Sequence, residues 1–282
     1  MYAILQFSDV DAPGCIAHVL REELRPFDVV HVHRGQPVPC VEELSGLVLL
    51  GSPLSVNAAA PWMRSVVSVV EACLTRGVPT IGHCFGAQLI AKVLGSTVAS
   101  CPEPEVGWAD VESVPRQDAD RAWPAEFVAL QWHFEGFSLP SGAAPLWRSA
   151  AWENQGFTYG SHIAMQFHIE ATAREVQTWC ERNMALFHPR RPGVQPLERL
   201  RAQAPSALRS QSTTAREIYR HWLGGHRDWP TPQPHEGGFE PVAANACRPI
   251  PELKLVEPCD ELNGSRTLLA RPSTSGGTAH RP

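Results

Sequence analysis

In the first half of the chain, apolar positions fall into short continuous runs, and longer amphipathic stretches separate them. Residues 1–7 form an apolar run, and a turn over Asp9 to Gly14 leads into a helical pattern from Cys15 to Leu24. Phe27 to Val32 reads as a second strand, and Gly46-Leu47-Val48-Leu49-Leu50-Gly51 as a third. Its unbroken apolar character is expected of a strand covered on both faces. Pro61 to Thr75 predicts a helix with proline in its first turn. Val78 to Gly82 predicts a short strand, and Phe85 to Leu94 the helix that follows it. This strand–helix alternation implies a mainly parallel sheet between helix layers.

The middle of the chain breaks that rhythm. Val106 to Val114, Phe127 to Trp132, Leu146 to Ala151 and Phe157 to Phe167 read as strands with turns between them, an antiparallel extension of the sheet. Thr172 to Met184 reads as a helix with threonine as its cap, and Thr213 to Leu223 as a last amphipathic helix. The reading gives one domain over residues 1–225. From His226 onward the periodicity ends, and prolines cluster without an apolar face, as in Trp229-Pro230-Thr231-Pro232-Gln233-Pro234. Residues 226–282 are therefore expected to be a disordered tail.

Composition narrows the class. The chain has 282 residues, 43% of them hydrophobic and 19% charged, enough apolar content for most of it to fold around a core. No run of about 18 apolar residues exists, so no membrane-spanning helix is expected. The N-terminus lacks a basic region and a small-residue cleavage site and reads as a strand, so a cytoplasmic location is expected. A net charge of −5 argues against a nucleic-acid partner. The eight cysteines include no C-x-x-C pair, so they are expected to be reduced thiols, and no metal or other cofactor is implied.

One stretch carries chemistry. Ile81-Gly82-His83-Cys84-Phe85-Gly86-Ala87-Gln88 sets a cysteine between glycines where a strand ends and a helix begins. This is a nucleophile elbow with cysteine in place of serine, and the helix N-terminus behind it favours a thiolate. The other seven cysteines lack such a frame and read as structural. A thiolate nucleophile needs a base and a group to orient it. Gln166-Phe167-His168-Ile169-Glu170 supplies both, because residues i and i+2 share a face in extended geometry. Glu170 can hold one imidazole nitrogen of His168 while the other meets the thiol. His168 and Cys84 are 84 residues apart, which suits two strand ends of one sheet.

These residues resemble the motifs of class I glutamine amidotransferases, in their stand-alone GMP-synthase-like branch. Gly82 to Gln88 is similar to the family's G-x-C-x-G-x-Q box, and Gln166 to Glu170 to its Q-F-H-P-E box. Gly51-Ser52-Pro53-Leu54-Ser55-Val56, Glu105-Val106-Gly107-Trp108 and Trp132-His133-Phe134-Glu135 resemble three further segments, in the family's order. The resemblance implies a flavodoxin-like α/β fold. It also implies attack by Cys84 on the γ-amide of glutamine, proton transfer by His168 and orientation of His168 by Glu170. The oxyanion would be held by the backbone N–H groups of Ser52 and Phe85, and the substrate by Gly51 and Gln88. Ile169 stands where the family usually has proline, Ala87 replaces a common histidine or glycine, and Ser52 replaces a common glycine. None of these removes a reacting group.

The chain shows no P-loop and no room for a synthetase domain, so an ammonia acceptor would be a separate synthetase chain. Two other readings stand beside hydrolysis of glutamine. One is a hydrolase of γ-glutamyl peptides or amines with the same triad, and the other a non-catalytic binding scaffold. Three smaller features have competing readings. His83 adjoins Cys84, but in an elbow its side chain points away from the nucleophile, which favours packing. His31-x-His33 lacks a third metal ligand. Trp132-His133-x-Glu135 fits either a pocket mouth or a packed strand end.

Overall fold

The computed structural model describes residues 1–115 and 123–224, so residues 226–282, read as a tail, lie outside the described residues. The strands are β1 (Tyr2–Gln6), β2 (Phe27–His31), β3 (Gly46–Leu49), β4 (Thr80–His83), β5 (Val98–Ser113), β6 (Glu126–Phe137), β7 (Ala144–Ser149), β8 (Gly156–Tyr159) and β9 (His162–Met165). The helices are α1 (Gly14–Glu22), α2 (Met63–Arg76), α3 (Phe85–Val93), α4 (Ala173–Arg182) and α5 (Leu197–Leu223). All strands join one sheet in the order β2-β1-β3-β4-β9-β8-β7-β5-β6. From β2 to β9 neighbouring strands are parallel, and from β9 to β6 they are antiparallel. The parallel part has the 2-1-3-4-5 order of a flavodoxin-like sheet, with β9 as its fifth strand.

Every residue of β1, β3 and β4 is buried, because helices cover both faces. On one face Ile4, Val48, Ile81 and Met165 pack against Ile16 and Leu20 of α1 and Ile218 and Trp222 of α5. On the other, Leu5, Leu47, Leu49 and Ala164 pack against Val66 and Val70 of α2 and Leu89 and Ile90 of α3. Burying each such aliphatic side chain contributes about 1.5–3 kcal/mol.

Two elements differ from the sequence reading. The run Phe157–Phe167, taken as one strand, is the hairpin β8–β9, turning at Gly160-Ser161 between the paired residues Tyr159 and His162. Gly160 has φ 55°, the left-handed conformation that such two-residue turns use. The last helix begins at Leu197 rather than Thr213 and includes Pro205. Salt bridges from Arg216 and Arg220 to Glu22 and Glu23 fasten its end to α1. Helix α4 starts on a reciprocal cap between Thr172 and Glu175, at the predicted threonine. Cys15, Cys73, Cys84, Cys101 and Cys180 are free thiols, whereas Cys40 is disulfide-bonded, against the expectation of reduced thiols. No described helix is long and apolar enough to cross a membrane.

Candidate active site

Cys84 sits between β4 and α3 with φ 47° and ψ −105°, a conformation that L residues rarely adopt. Its N–H donates to the Met165 carbonyl at the end of β9 (2.8 Å), tying the elbow to the neighbouring strand. A Cβ on Gly82 would lie 2.6 Å from the Gly86 backbone, and one on Gly86 would collide with the Leu49 carbonyl. Both glycines are thus fixed by the close crossing of helix and strand. Phe85 is the first residue of α3, where backbone N–H groups have no acceptor inside the helix.

His168 lies just beyond the end of β9. Its backbone N–H donates to the Leu130 carbonyl (2.8 Å), and its Nδ1 is 2.6 Å from Glu170 Oε1. The thiol of Cys84 faces the His168 side chain closely enough to act on its protonation. With Nδ1 engaged by Glu170, Nε2 is the ring nitrogen left for that contact. The Trp179 ring of α4 meets the imidazole edge-on, with centroids 4.8 Å apart. Burial alone would disfavour charge on His168, but the Glu170 carboxylate and the Cys84 thiol outweigh it and raise its pKa well above the usual value. Burial pushes the Glu170 carboxyl upward, yet His168 and His83 more than offset that and hold it below its ordinary range.

Cys84 and His168 open onto a cavity of about 490 Å³, which Ser52, Gln88, Trp132 and Glu135 also line, and Glu170 is buried behind His168. Gln88 donates through Nε2 to the Glu135 carbonyl (2.9 Å) and to Gln166 Oε1 (3.3 Å). Its own Oε1 is therefore the atom left to address a ligand. The Ser55 hydroxyl donates to Glu135 Oε1 (2.9 Å), bridging the loop after β3 to β6. Gly51 lies flat against the His168 ring, where a Cβ would be 2.8 Å from Cε1.

Other residues singled out in the sequence fall into place. His133 lines the cavity, but its Nε2 is 3.2 Å from Glu105 Oε2, and Gln155 donates to the same carboxylate oxygen (2.6 Å). The Trp132-His133-x-Glu135 segment is thus both pocket wall and packed strand. His33 contacts Asp9 Oδ1 (2.9 Å) and the Gln6 carbonyl (3.1 Å) rather than sharing a ligand with His31. His83 does point away from the thiol, as expected, but towards Tyr219 and Glu170 rather than into apolar packing. Asp11 went unnoticed. It is 7% exposed, lines the cavity and accepts a hydrogen bond from Ser8. Its place in the first strand-to-helix turn was the available signal, since ligands gather there in such sheets.

A thiol at a strand-to-helix elbow, beside a carboxylate-held imidazole at the carboxyl edge of a parallel sheet, is the arrangement that cysteine-dependent acyl transfer requires. The model of the family "Glutamine amidotransferase class-I" matches residues 11–186, well over half of the chain, and the chain belongs to that family. It is similar to a glutamine amidotransferase from Methylobacillus flagellatus of known structure, with 30% identity and a TM-score of 0.75, covering 83% of this chain and 98% of that one. It is 35% identical over 127 residues to a glutamine-hydrolysing GMP synthase of Thermomicrobium roseum, covering 44% of this chain and 23% of the relative. It also matches one of the subunits of a glutamine-hydrolysing GMP synthase from Thermoplasma acidophilum, at 29% identity over 46% of this chain and 65% of that relative. The chain thus spans only a fraction of the length of the curated relatives it matches.

Proposed function

We propose that the chain hydrolyses the γ-amide of glutamine through a thioester on Cys84, releasing ammonia and glutamate. The observation that supports this reading is the set Cys84, His168 and Glu170: Cys84 and His168 line the cavity, and Glu170 holds His168 Nδ1 from behind. Cys84 Sγ attacks the amide carbon, and the carbon–nitrogen bond breaks as His168 gives its proton to the departing ammonia. Water then attacks the thioester while His168 takes a proton, the carbon–sulfur bond breaks, and the thiol is restored. Glu170 orients the imidazole and stabilises its charge. The N–H groups of Ser52 and Phe85 receive the oxyanion, each worth about 10²–10³ in rate. Gly51 and Gln88 Oε1 contact the substrate. Ammonia passes to a separate synthetase chain, a reading supported by the Thermoplasma relative, whose name makes it one subunit of a GMP synthase.

One observation favours a second reading. Leu54 and Phe134 line the cavity and are 42% and 44% exposed, apolar surface that an ammonia leaving group does not use. A γ-glutamyl peptide or amine would cover it. Hydrolysis of glutamine and a panel of γ-glutamyl amides by the purified chain, reading ammonia and glutamate together, separates the two. Equal release of both from glutamine, absent in Cys84→Ala, is expected. Brisk turnover of a γ-glutamyl peptide with negligible turnover of glutamine overturns the first reading.

A further inference from the structure

His83 carries a polar ring in a place where an apolar one would pack as well. It is fully buried, one residue before Cys84, and burial lowers its pKa so that the ring is neutral. Moving an imidazole from water into such a site costs free energy unless its nitrogens find partners. Nδ1 is 3.4 Å from the Leu49 carbonyl, at the outer limit of a hydrogen bond. Nε2 is 2.9 Å from the Tyr219 hydroxyl, on α5, and 4.0 Å from Glu170 Oε2. That oxygen is buried and has no hydrogen-bond donor among the described residues. The carboxylate therefore shows one oxygen to His168 and the other to His83.

Resting on the assignment of His168 and Glu170 to the reacting set, we propose that His83 is a positioning residue for Glu170. It presents Nε2–H towards Oε2, and Tyr219 fixes the plane of its ring. The choice of tautomer follows from charge. A proton on Nδ1 would serve a neutral carbonyl at 3.4 Å and turn the Nε2 lone pair towards an ionised carboxylate. A proton on Nε2 donates to the hydroxyl oxygen at 2.9 Å and sets the positive end of the N–H dipole 4.0 Å from that carboxylate, the electrostatically favoured arrangement. The groups facing Glu170 are His168 beside it, His83 from β4, Tyr219 from α5, Asp11 from the turn after β1 and Cys15 from α1. Burial and the Glu170 charge push Asp11 and Cys15 towards their neutral forms, and Tyr219 is neutral. His83 is thus the side-chain N–H group that faces Oε2. Its field at that oxygen favours the ionised carboxylate, the form that keeps Oε1 on His168 Nδ1.

The test reads protonation rather than turnover. Nitrogen-15 NMR of the imidazoles in the whole chain, assigned by the signals lost in His83→Val and His168→Ala, reports the His83 tautomer and the His168 titration. The Nε2–H form of His83 is expected. His83→Val should lower the His168 midpoint by about one pH unit, since the Glu170 charge that raises it is less well held. His83→Asn, which keeps an N–H donor, should recover part of the shift. Tyr219→Phe removes one oxygen, is the milder change if His83→Val fails to fold, and should shift His168 the same way by less. An Nδ1–H tautomer at His83, or a His168 midpoint unmoved in both His83→Val and Tyr219→Phe, overturns the proposal. A His168 midpoint that ignores Glu170→Gln overturns the triad assignment and this proposal with it. The expected shifts in a chain that cleaves no γ-glutamyl amide support this role and overturn the proposed function alone.

Discussion

Gly51→Ala tests how tightly the base is held, because it adds a single methyl group at a measured place. The new Cβ would lie 2.8 Å from His168 Cε1 and 3.2 Å from Asp11 Oδ1. Carbon atoms pack at about 3.5–4.0 Å, so one partner must move by about 0.7 Å or more. The imidazole has little room to yield. Glu170 holds Nδ1 at 2.6 Å on one side, and the Trp179 ring blocks another. If the ring moves, its proton leaves the line between Glu170 and Cys84. If the loop moves instead, the Ser52 N–H leaves the oxyanion position proposed for it. Misplacement of reacting groups by about 1 Å can cost roughly 10² in rate. The fold should lose only about 1–3 kcal/mol, the usual cost of overpacking by a methyl group. The expected result is kcat lower by one to two orders of magnitude, with a modest fall in Tm and KM little changed. Near-wild-type kcat with an unperturbed His168 NMR signal would refute the claim that His168 is clamped against Gly51.

The other expectations follow from the same geometry. His168→Ala should lower kcat more than Glu170→Gln, since one removes the proton carrier and the other its orienter, and His133→Ala should be mild because Glu105 occupies its Nε2. A severe His133→Ala beside a mild His168→Ala means that the wrong histidine was chosen. The pair Glu170–His168 also shapes stability against pH. The raised His168 contributes fully below about pH 6.5 and is lost as pH climbs through its raised folded value, and the lowered Glu170 contributes above about pH 4.3 and is lost as pH falls through its depressed folded value. The Tm advantage of wild type over Glu170→Gln should therefore peak between those limits, and a difference flat with pH contradicts it. Removing residues 226–282, whose sequence offers no apolar face, should leave Tm and hydrolysis nearly unchanged, and a fall of several degrees shows that they pack on the domain.

The parts of the site legible in the sequence are those where residue type changes sharply at an element boundary. The Gly82-His83-Cys84 elbow and the His168-x-Glu170 pair both follow short apolar strands, so local pattern and chemistry agree. The β8–β9 hairpin was hidden because Phe157 to Phe167 is apolar on both sides of Gly160-Ser161, and only that dipeptide marks the turn. The first half of α5 was hidden by Pro205 and by its polar composition, with Leu200 and Ala207 as buried anchors. Asp11 sits in a sequence that reads as an exposed turn, Ser8-Asp9-Val10-Asp11. Its burial comes from Gly51 and the neighbouring cavity walls, which are remote in the chain. His83 was correctly turned away from the thiol, but what lay behind it depended on the register of β4 against β9 and on a tyrosine 136 residues away.

That register is where fold and chemistry meet. Cys84 and His168 are joined only because β9 pairs in parallel with β4, with Gly82 opposite Ala164 and His83 opposite Met165. The two chain segments therefore leave the sheet side by side, one into the elbow and the other into His168. A parallel neighbour needs a crossover, and here the excursion between them contains the antiparallel strands β5 to β8 as well as α3. The excursion is part of the site. β6 returns Trp132, whose carbonyl lies 3.9 Å from Cys84 Sγ, and Glu135, which binds Ser55 and receives Gln88 through its carbonyl. Leu130 of the same strand accepts the His168 backbone N–H. The strands that depart from the α/β rhythm thus supply one wall of the cavity and fix the backbone of the base. A change that loosened β6, even at a residue that lines no part of the cavity, should act on His168 through Leu130 before it unfolds the parallel sheet.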